Sequence, residues 1–119
     1  MPARLRPADP AAVAEARARL DAGDAAPADL RLLTKHYLAL LESRAPGRSV
    51  EVRVPPYAAV QVVEGVRHTR GTPPAVVEMD AETWIALATG ALDWPTAAGS
   101  ARVRASGERA DLTPYLPFP

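Results

Sequence analysis

The side chains best suited to bind a ligand form a basic group in the middle of the chain. Arg67, His68 and Arg70 are nearly consecutive, and Arg53 lies in the preceding segment of alternating sequence. In an extended backbone His68 and Arg70 point to the same side, because side chains alternate along a strand. Arginine binds carboxylates and phosphates through paired donors, and histidine adds a proton-dependent contact near neutral pH. Arg53, His68 and Arg70 are therefore the predicted contacts for an anionic head group.

The same residues also fit a structural loop, in which the arginines cap carbonyl groups or pair with Glu64 or Glu78. Catalysis is not indicated, because the chain has no cysteine and shows no Ser–His–Asp arrangement. Its two histidines, His36 and His68, have no closely spaced carboxylates, which argues against zinc. We expect no catalytic residue, no metal and no cofactor, with His36 at the surface or an edge.

The composition argues against several classes of binding partner. The 119 residues fit one domain, and 14 basic side chains balance 14 acidic ones. That balance argues against nucleic acid or an anionic membrane surface as the main partner. Nothing approaches the run of about 18 apolar residues that a membrane span needs, so stable membrane insertion is not expected. The N-terminal residues lack the apolar segment of a signal peptide, which favours the cytoplasm.

The elements that would position these side chains begin with helices. Residues 1 to 8 are expected to be a flexible lead, followed by a single domain at 9–119. That domain starts with a helical extension at 9–22, since Asp9-Pro10 is a typical helix start and Gly23 a typical stop. A second helix is predicted over about 28–44 from its broad apolar face.

The sequence then changes to the alternation typical of strands. Strands are predicted at Val50–Val54, Tyr57–Val63, Ala75–Met79 and 101–106. The fold class is therefore α+β, with a mixed, mostly antiparallel sheet and helices packed on one face. The helical segment before the last strand permits a parallel pairing there. The opposite sheet face would carry polar side chains, namely Glu51, Arg53, Gln61, Glu78, Arg102 and Arg104.

Between the last two strands the chain reads as two short helices with glycine stops. Asp80 is predicted to cap the first helix and Gly90 to end it, and Trp94-Pro95 opens the second, which ends at Gly99. Residues 80–107 resemble the C-terminal half of sterol-carrier-protein-2-like (SCP2-like) domains. The stretch 50–78, with its Arg-His-Thr-Arg-Gly-Thr-Pro-Pro run, resembles more specifically the small actinobacterial sterol carrier family. The resemblance covers roughly residues 28 to 116.

The resemblance implies an apolar tunnel between sheet and helices that holds fatty acyl chains or sterols. It suggests a non-catalytic carrier of a lipid or other apolar ligand, in a cavity lined by Val60, Val62, Trp84, Leu87, Leu92, Trp94 and Val103. Both tryptophans equally suit a role as core anchors between helix and sheet. The alternative function is a protein-interaction or regulatory module that uses the charged sheet face, for example as a homodimer, without a ligand pocket.

Overall fold

The secondary structure follows the predicted order of helices and strands. The computed structural model describes residues 4–65, 75–107 and 110–119. Arg67, His68 and Arg70 lie outside these ranges. The elements are α1 (Pro10–Asp21), α2 (Pro27–Arg44), β1 (Val50–Val54), β2 (Ala58–Val62), β3 (Ala75–Met79), α3 (Ala81–Thr89), α4 (Trp94–Gly99), β4 (Val103–Ser106) and a 3-10 turn (Thr113–Tyr115).

Three of the four helices begin at an aspartate whose side chain caps the first turn. The carboxylates of Asp9, Asp80 and Asp93 each accept a hydrogen bond from the backbone N–H three residues later, at 3.3, 2.7 and 2.8 Å. These bonds satisfy donors that the helix itself leaves unpaired. Gly90 ends α3 with φ 87°, the left-handed conformation that glycine adopts without strain. The predicted roles of Asp9, Asp80 and Gly90 are confirmed.

The start of α2 depends on Asp29, which also joins α2 to α1. Its carboxylate accepts from the Ala26 N–H at 3.0 Å, and from the Arg19 guanidinium through Nε at 3.0 Å and Nη2 at 2.8 Å. The hydrogen bonds from Arg19, and then the one from Ala26, hold the pKa of the Asp29 carboxyl below its ordinary value. One carboxylate therefore fixes both the first turn of α2 and the position of α1.

Within the described residues the sheet has four strands in the order β2-β1-β3-β4. β1 is antiparallel to β2 and parallel to β3, and β3 is antiparallel to β4. The predicted α+β class with a mixed, mostly antiparallel sheet is confirmed. The parallel pair is not at the last strand, however. α3 and α4 return the chain to the end of β3, where Val103 pairs with Met79, so β4 runs back along β3.

Alternation along the strands separates an apolar inner face from a polar outer face. The inner residues of β1 are Val50, Val52 and Val54, which are fully buried, and Glu51 and Arg53 alternate with them on the outer face. α2 contacts β2 and α3, while α4 contacts β4. The helices that cover the core thus lie on one face of the sheet, as the sequence predicted.

The connection between α2 and β1 is fastened to the end of β2. The Ser49 N–H and hydroxyl both donate to the Val63 carbonyl, at 3.0 and 2.6 Å, and the Val63 N–H donates to the Ala45 carbonyl at 2.6 Å. Val63 has φ 68°, an uncommon conformation for a β-branched residue. Gly47 passes so close that a Cβ there would lie 2.2 Å from the Val63 carbonyl carbon.

We predict that Gly47→Ala lowers the free energy of unfolding by at least about 2 kcal/mol, because it combines a backbone clash with an unfavourable positive φ. Gly99→Ala is the matched control. Gly99 lies in α4 with nothing within 4 Å of an added Cβ, so alanine there is expected to leave stability unchanged or raise it by up to about 1 kcal/mol. Urea denaturation measures both changes, and equal effects would contradict the close contact.

The segment before α1 has no helix or strand over residues 4–8, but it is hydrogen-bonded to α2. The Leu5 N–H donates to Glu42 Oε1 at 3.3 Å, and the Ala8 N–H donates to His36 Nδ1 at 3.0 Å. The half-buried His36 ring meets the Tyr37 ring edge-on, with centroids 4.9 Å apart. Burial lowers the pKa of the His36 imidazole from its ordinary value of 6.5. The bond to Ala8 requires the neutral ring, because a protonated Nδ1 cannot accept.

This contact predicts a pH dependence on the acid side. Since the folded-state pKa of His36 is below the unfolded-state value, its contribution to stability is complete above pH 6.5 and falls as the pH drops from there toward the folded pKa. His36→Asn keeps an acceptor near Nδ1 but does not titrate. The melting temperature of the unmodified protein should therefore fall more steeply between pH 7.5 and pH 5 than that of the variant. Parallel curves would contradict the assignment.

Candidate functional site

The side chains predicted to line a cavity lie in the layer between the sheet and the helices. Val60 and Val62 belong to the inner face of β2, and Val103 to that of β4. Trp84 and Leu87 are buried residues of α3, Trp94 begins α4, and Leu92 is half-buried in the link between these helices. All seven are thus on the side of the sheet that an interior ligand would occupy.

These seven residues are spread across the width of the sheet and do not surround a single point. We call the row that they form the path. β2 and β4 are the two edge strands of the described sheet, separated by β1 and β3. Three strand spacings place the two edges about 14 Å apart. Val60 and Val62 therefore lie at the α2 side of the molecule, while Val103 and Trp94 lie at the α4 side. Sequence periodicity identifies the inward positions but contains no information on strand order.

Trp84 occupies the closed end of this path. Its side chain has 0% exposure, and its indole Nε1–H donates to the Thr34 carbonyl of α2 at 3.3 Å. The Phe118 ring stands nearly perpendicular to the indole with centroids 6.4 Å apart, and stacks on the Tyr37 ring at 6.1 Å. Trp84 acts as the core anchor that the sequence left as an alternative, and it joins α3 to α2.

Phe118 was not among the predicted site residues, although it contributes to the same interior. Its N–H donates to the Ala88 carbonyl of α3 at 2.9 Å. Arg44 of α2 lies over its ring at 4.7 Å and donates through Nη1 to the carbonyls of Tyr115 and Pro117, at 2.8 and 3.3 Å. The segment 112–118 is thereby fastened across α2 and α3. A single phenylalanine among small apolar residues was the available sequence signal.

The other end of the path reaches the surface. Trp94 retains 9% exposure and Val103 retains 6%, and Leu92 is only half-buried. The short helix α4 begins at Asp93, whose carboxylate accepts from Thr96. Hydrogen bonds from the Thr96 side chain and then from its backbone lower the pKa of the Asp93 carboxyl. Among the predicted lining residues, Leu92 and Trp94 at the α3–α4 link are therefore the nearest to solvent.

Two buried hydroxyl groups have no hydrogen-bond partner in the part of the chain that the structure describes. Thr34 of α2 and Thr83 of α3 have 0% and 1% exposure, and neither Oγ1 has a hydrogen-bond partner among the described residues. Leaving a buried hydroxyl unpaired costs about 1–3 kcal/mol. Both positions were missed from sequence, although Thr34 falls at helical spacing within the apolar face of α2, between Leu30 and Tyr37.

The predicted head-group residues are not brought to this layer by the described part of the chain. Arg53 lies on the outer face of β1, where its Nε pairs with the Glu51 carboxylate. Alternation along β1 points Arg53 away from the helices, because its neighbours Val52 and Val54 face inward. Arg53 therefore does not face a ligand held between sheet and helices. His68 and Arg70 lie outside the described residues, so their role stays a prediction.

Neither a metal centre nor a membrane-spanning helix is found among the described residues. Over residues 4–65, 75–107 and 110–119, no group of three or more histidine, aspartate or glutamate side chains is arranged to hold a metal ion. Over the same ranges, no helix is both long and apolar enough to cross a membrane. The chemistry that the described interior offers is apolar contact with two hydroxyl groups.

Comparison with known families agrees with this architecture. The sequence model of the family described as bacterial SCP ortholog matches residues 27–118. The chain belongs to the bacterial SCP ortholog family. The match covers α2 to Phe118 and leaves α1 outside, so the predicted membership and the predicted SCP2-like α+β fold are confirmed. No curated protein matches the sequence of this chain.

The unpaired hydroxyl of Thr34 gives a stability prediction. Thr34→Val replaces it with a methyl group of the same shape, so the free energy of unfolding should stay unchanged or rise by about 1 kcal/mol. Thr89→Val is the control, because the Thr89 hydroxyl donates to the Ile85 carbonyl at 2.9 Å and its loss should lower stability by up to about 1 kcal/mol. Denaturant unfolding measures both. A clear loss of stability in Thr34→Val would show that this hydroxyl has a partner.

Proposed function

We propose that the protein binds a lipid or another elongated apolar molecule between the inner face of the sheet and helices α2 to α4. The supporting observation is the continuous apolar layer that runs from Val60 and Val62 on β2 to Val103 on β4. Membership of the bacterial SCP ortholog family suggests a lipid-binding carrier role. A carrier of this kind needs shape and apolar area, and no reacting groups.

In this proposal the ligand enters at the α3–α4 link. Leu92 is half-buried and Trp94 retains 9% exposure there, whereas Trp84 and Val62 have none. α4 has six residues, so moving it breaks few backbone hydrogen bonds. The chain of the ligand would extend along the inner sheet face toward Trp84.

Binding would require rearrangement at the closed end, because the Phe118 ring occupies the space beside Trp84. Exposing a buried phenylalanine costs about 1.5–3 kcal/mol. A ligand that buries roughly 300 Å² of apolar surface gains about 7 kcal/mol at the usual coefficient. The remaining gain of about 4–5.5 kcal/mol corresponds to a dissociation constant of about 0.1–1 mM, so tighter binding needs a longer ligand that buries more apolar surface.

The polar end of the ligand is proposed to be neutral if it reaches the interior. Among the described residues the buried polar side chains are Asp29, Thr34 and Thr83, and Asp29 is already paired with Arg19. Two hydroxyls match a ligand hydroxyl or carbonyl group, while a buried carboxylate without a cation would be costly. A charged head group would have to stay outside this layer, and His68 and Arg70 remain its proposed contacts.

The test is a titration of delipidated protein with oleyl alcohol and with oleate, followed by tryptophan emission. Trp94→Phe leaves the emission of Trp84, and Trp84→Phe leaves that of Trp94, so the two ends of the path are observed separately. We expect both ligands to shift the emission of Trp94 and that of Trp84, because both carry the same apolar chain, which extends toward Trp84 in this proposal. Native mass spectrometry of the same samples should show one ligand per chain.

A substitution at the proposed opening separates binding from non-specific association. Leu92→Glu should weaken oleyl alcohol binding by at least about tenfold, because a charge then lies where the apolar chain enters. Leu20→Glu, at a half-buried position on α1, is the matched control and should leave affinity unchanged. The proposal fails if neither ligand binds up to its solubility limit, or if both variants weaken binding equally.

A further inference from the structure

The outer face of the sheet carries two rows of side chains, one above the other. Strand register places one residue of each strand in every row. In strand order from β2 to β4, the first row is Ala59, Arg53, Glu78 and Arg104, and the second row is Gln61, Glu51, Val76 and Ser106. These residues are exposed or half-buried. We call this set the outer face. It is formed on the side of the sheet opposite to α2, α3 and α4.

The first row alternates in charge. Arg53 on β1 and Glu78 on β3 are register partners on neighbouring strands, and Arg104 on β4 follows. Arg53 pairs with Glu51 on its own strand. In the described part of the chain neither Glu78 nor Arg104 has an ion-pair partner. Among the described residues, the row therefore contains two charges, those of Glu78 and Arg104, that no ion pair neutralises.

We infer that this outer face binds the outer face of a second copy of the chain. A two-fold axis parallel to the strands, lying between β1 and β3, places β1 of one copy over β3 of the other. Each row then faces itself in reversed strand order, so Arg53 opposes the second copy's Glu78, and Glu78 opposes the second copy's Arg53. Both of these first-row contacts join opposite charges, as a self-complementary two-fold interface requires, while in the second row Glu51 opposes the Val76 position.

The residues at the ends of the two rows also fit the residues that oppose them under this two-fold axis. The long Arg104 side chain opposes the small Ala59 of the second copy, and Gln61 opposes Ser106. Large residues thus meet small ones at both edges, which allows two sheet faces to approach. A face with one sign of charge would instead repel a second copy, and nucleic acid would need a surface that is basic throughout.

The size of the face sets the expected strength. The four strands of the described sheet, about 4.8 Å apart with about five residues of about 3.4 Å each, give a planar area of roughly 300 Å². Stable interfaces bury about 800 Å² on each partner. The dimer is therefore weak and concentration-dependent. Its dependence on paired surface charges makes it sensitive to salt.

The test uses sedimentation velocity from the micromolar to the millimolar range. Arg53→Glu places two negative charges over two others, and Glu78→Arg does the same with positive charges, so each variant alone should associate at least about tenfold more weakly. An equimolar mixture of the two variants restores both opposite-charge contacts. We expect the mixture to dimerise as the unmodified protein does, and high salt to weaken both.

Control variants separate loss of the proposed contact from other effects of a substitution. Arg17→Glu reverses an exposed charge on α1, away from the sheet, and should leave association unchanged. If a single variant does not melt cooperatively, the double exchange Arg53→Glu with Glu78→Arg is measured in its place. The double variant should dimerise as the unmodified protein does, because every opposing pair keeps opposite signs. Leu92→Glu should dimerise normally, so a failure of ligand binding is distinguishable from a failure of this inference. A monomer at millimolar concentration, or a mixture no more associated than its components, would overturn it.

Discussion

The packing of the Trp84 indole between α3 and α2 is the interaction on which the core depends. The inner face of the sheet is built mainly from valine, and Trp84 is the largest fully buried side chain among the described residues. A tryptophan buries about 150–250 Å², equivalent to about 4–6 kcal/mol of apolar burial, comparable to the whole stability of many domains. The Tyr37 and Phe118 rings complete the same cluster from two other parts of the chain.

Local features of the fold were predictable because their causes are local. The apolar alternation at Val50–Val54 and the carboxylates of Asp9 and Asp80 act on neighbouring residues, so the strand and both helix starts follow from short sequence windows. The second strand is shorter than predicted, since Val63 leaves the extended conformation at φ 68° to meet the α2–β1 connection. Its apolar side chain gave no indication of that constraint.

Non-local features were not predictable from the pattern. Whether β4 pairs parallel or antiparallel with β3 depends on where α3 and α4 return the chain, and no residue in β4 encodes that return. The predicted lining residues were identified as inward-facing, but their separation between two sheet edges follows from strand order. The position of Phe118 between Tyr37 and Trp84 likewise depends on how the segment 112–118 folds back over α2 and α3.

The contacts of Phe118 also affect how the protein is made. Tyr37 and Arg44 leave the ribosome about 80 residues before the ring that they contact. At a synthesis rate of about 5–20 residues per second, that delay lasts about 4–16 s. During this time the apolar surface around Tyr37 lacks its final partner, so the nascent chain is exposed to aggregation until synthesis has passed Phe118.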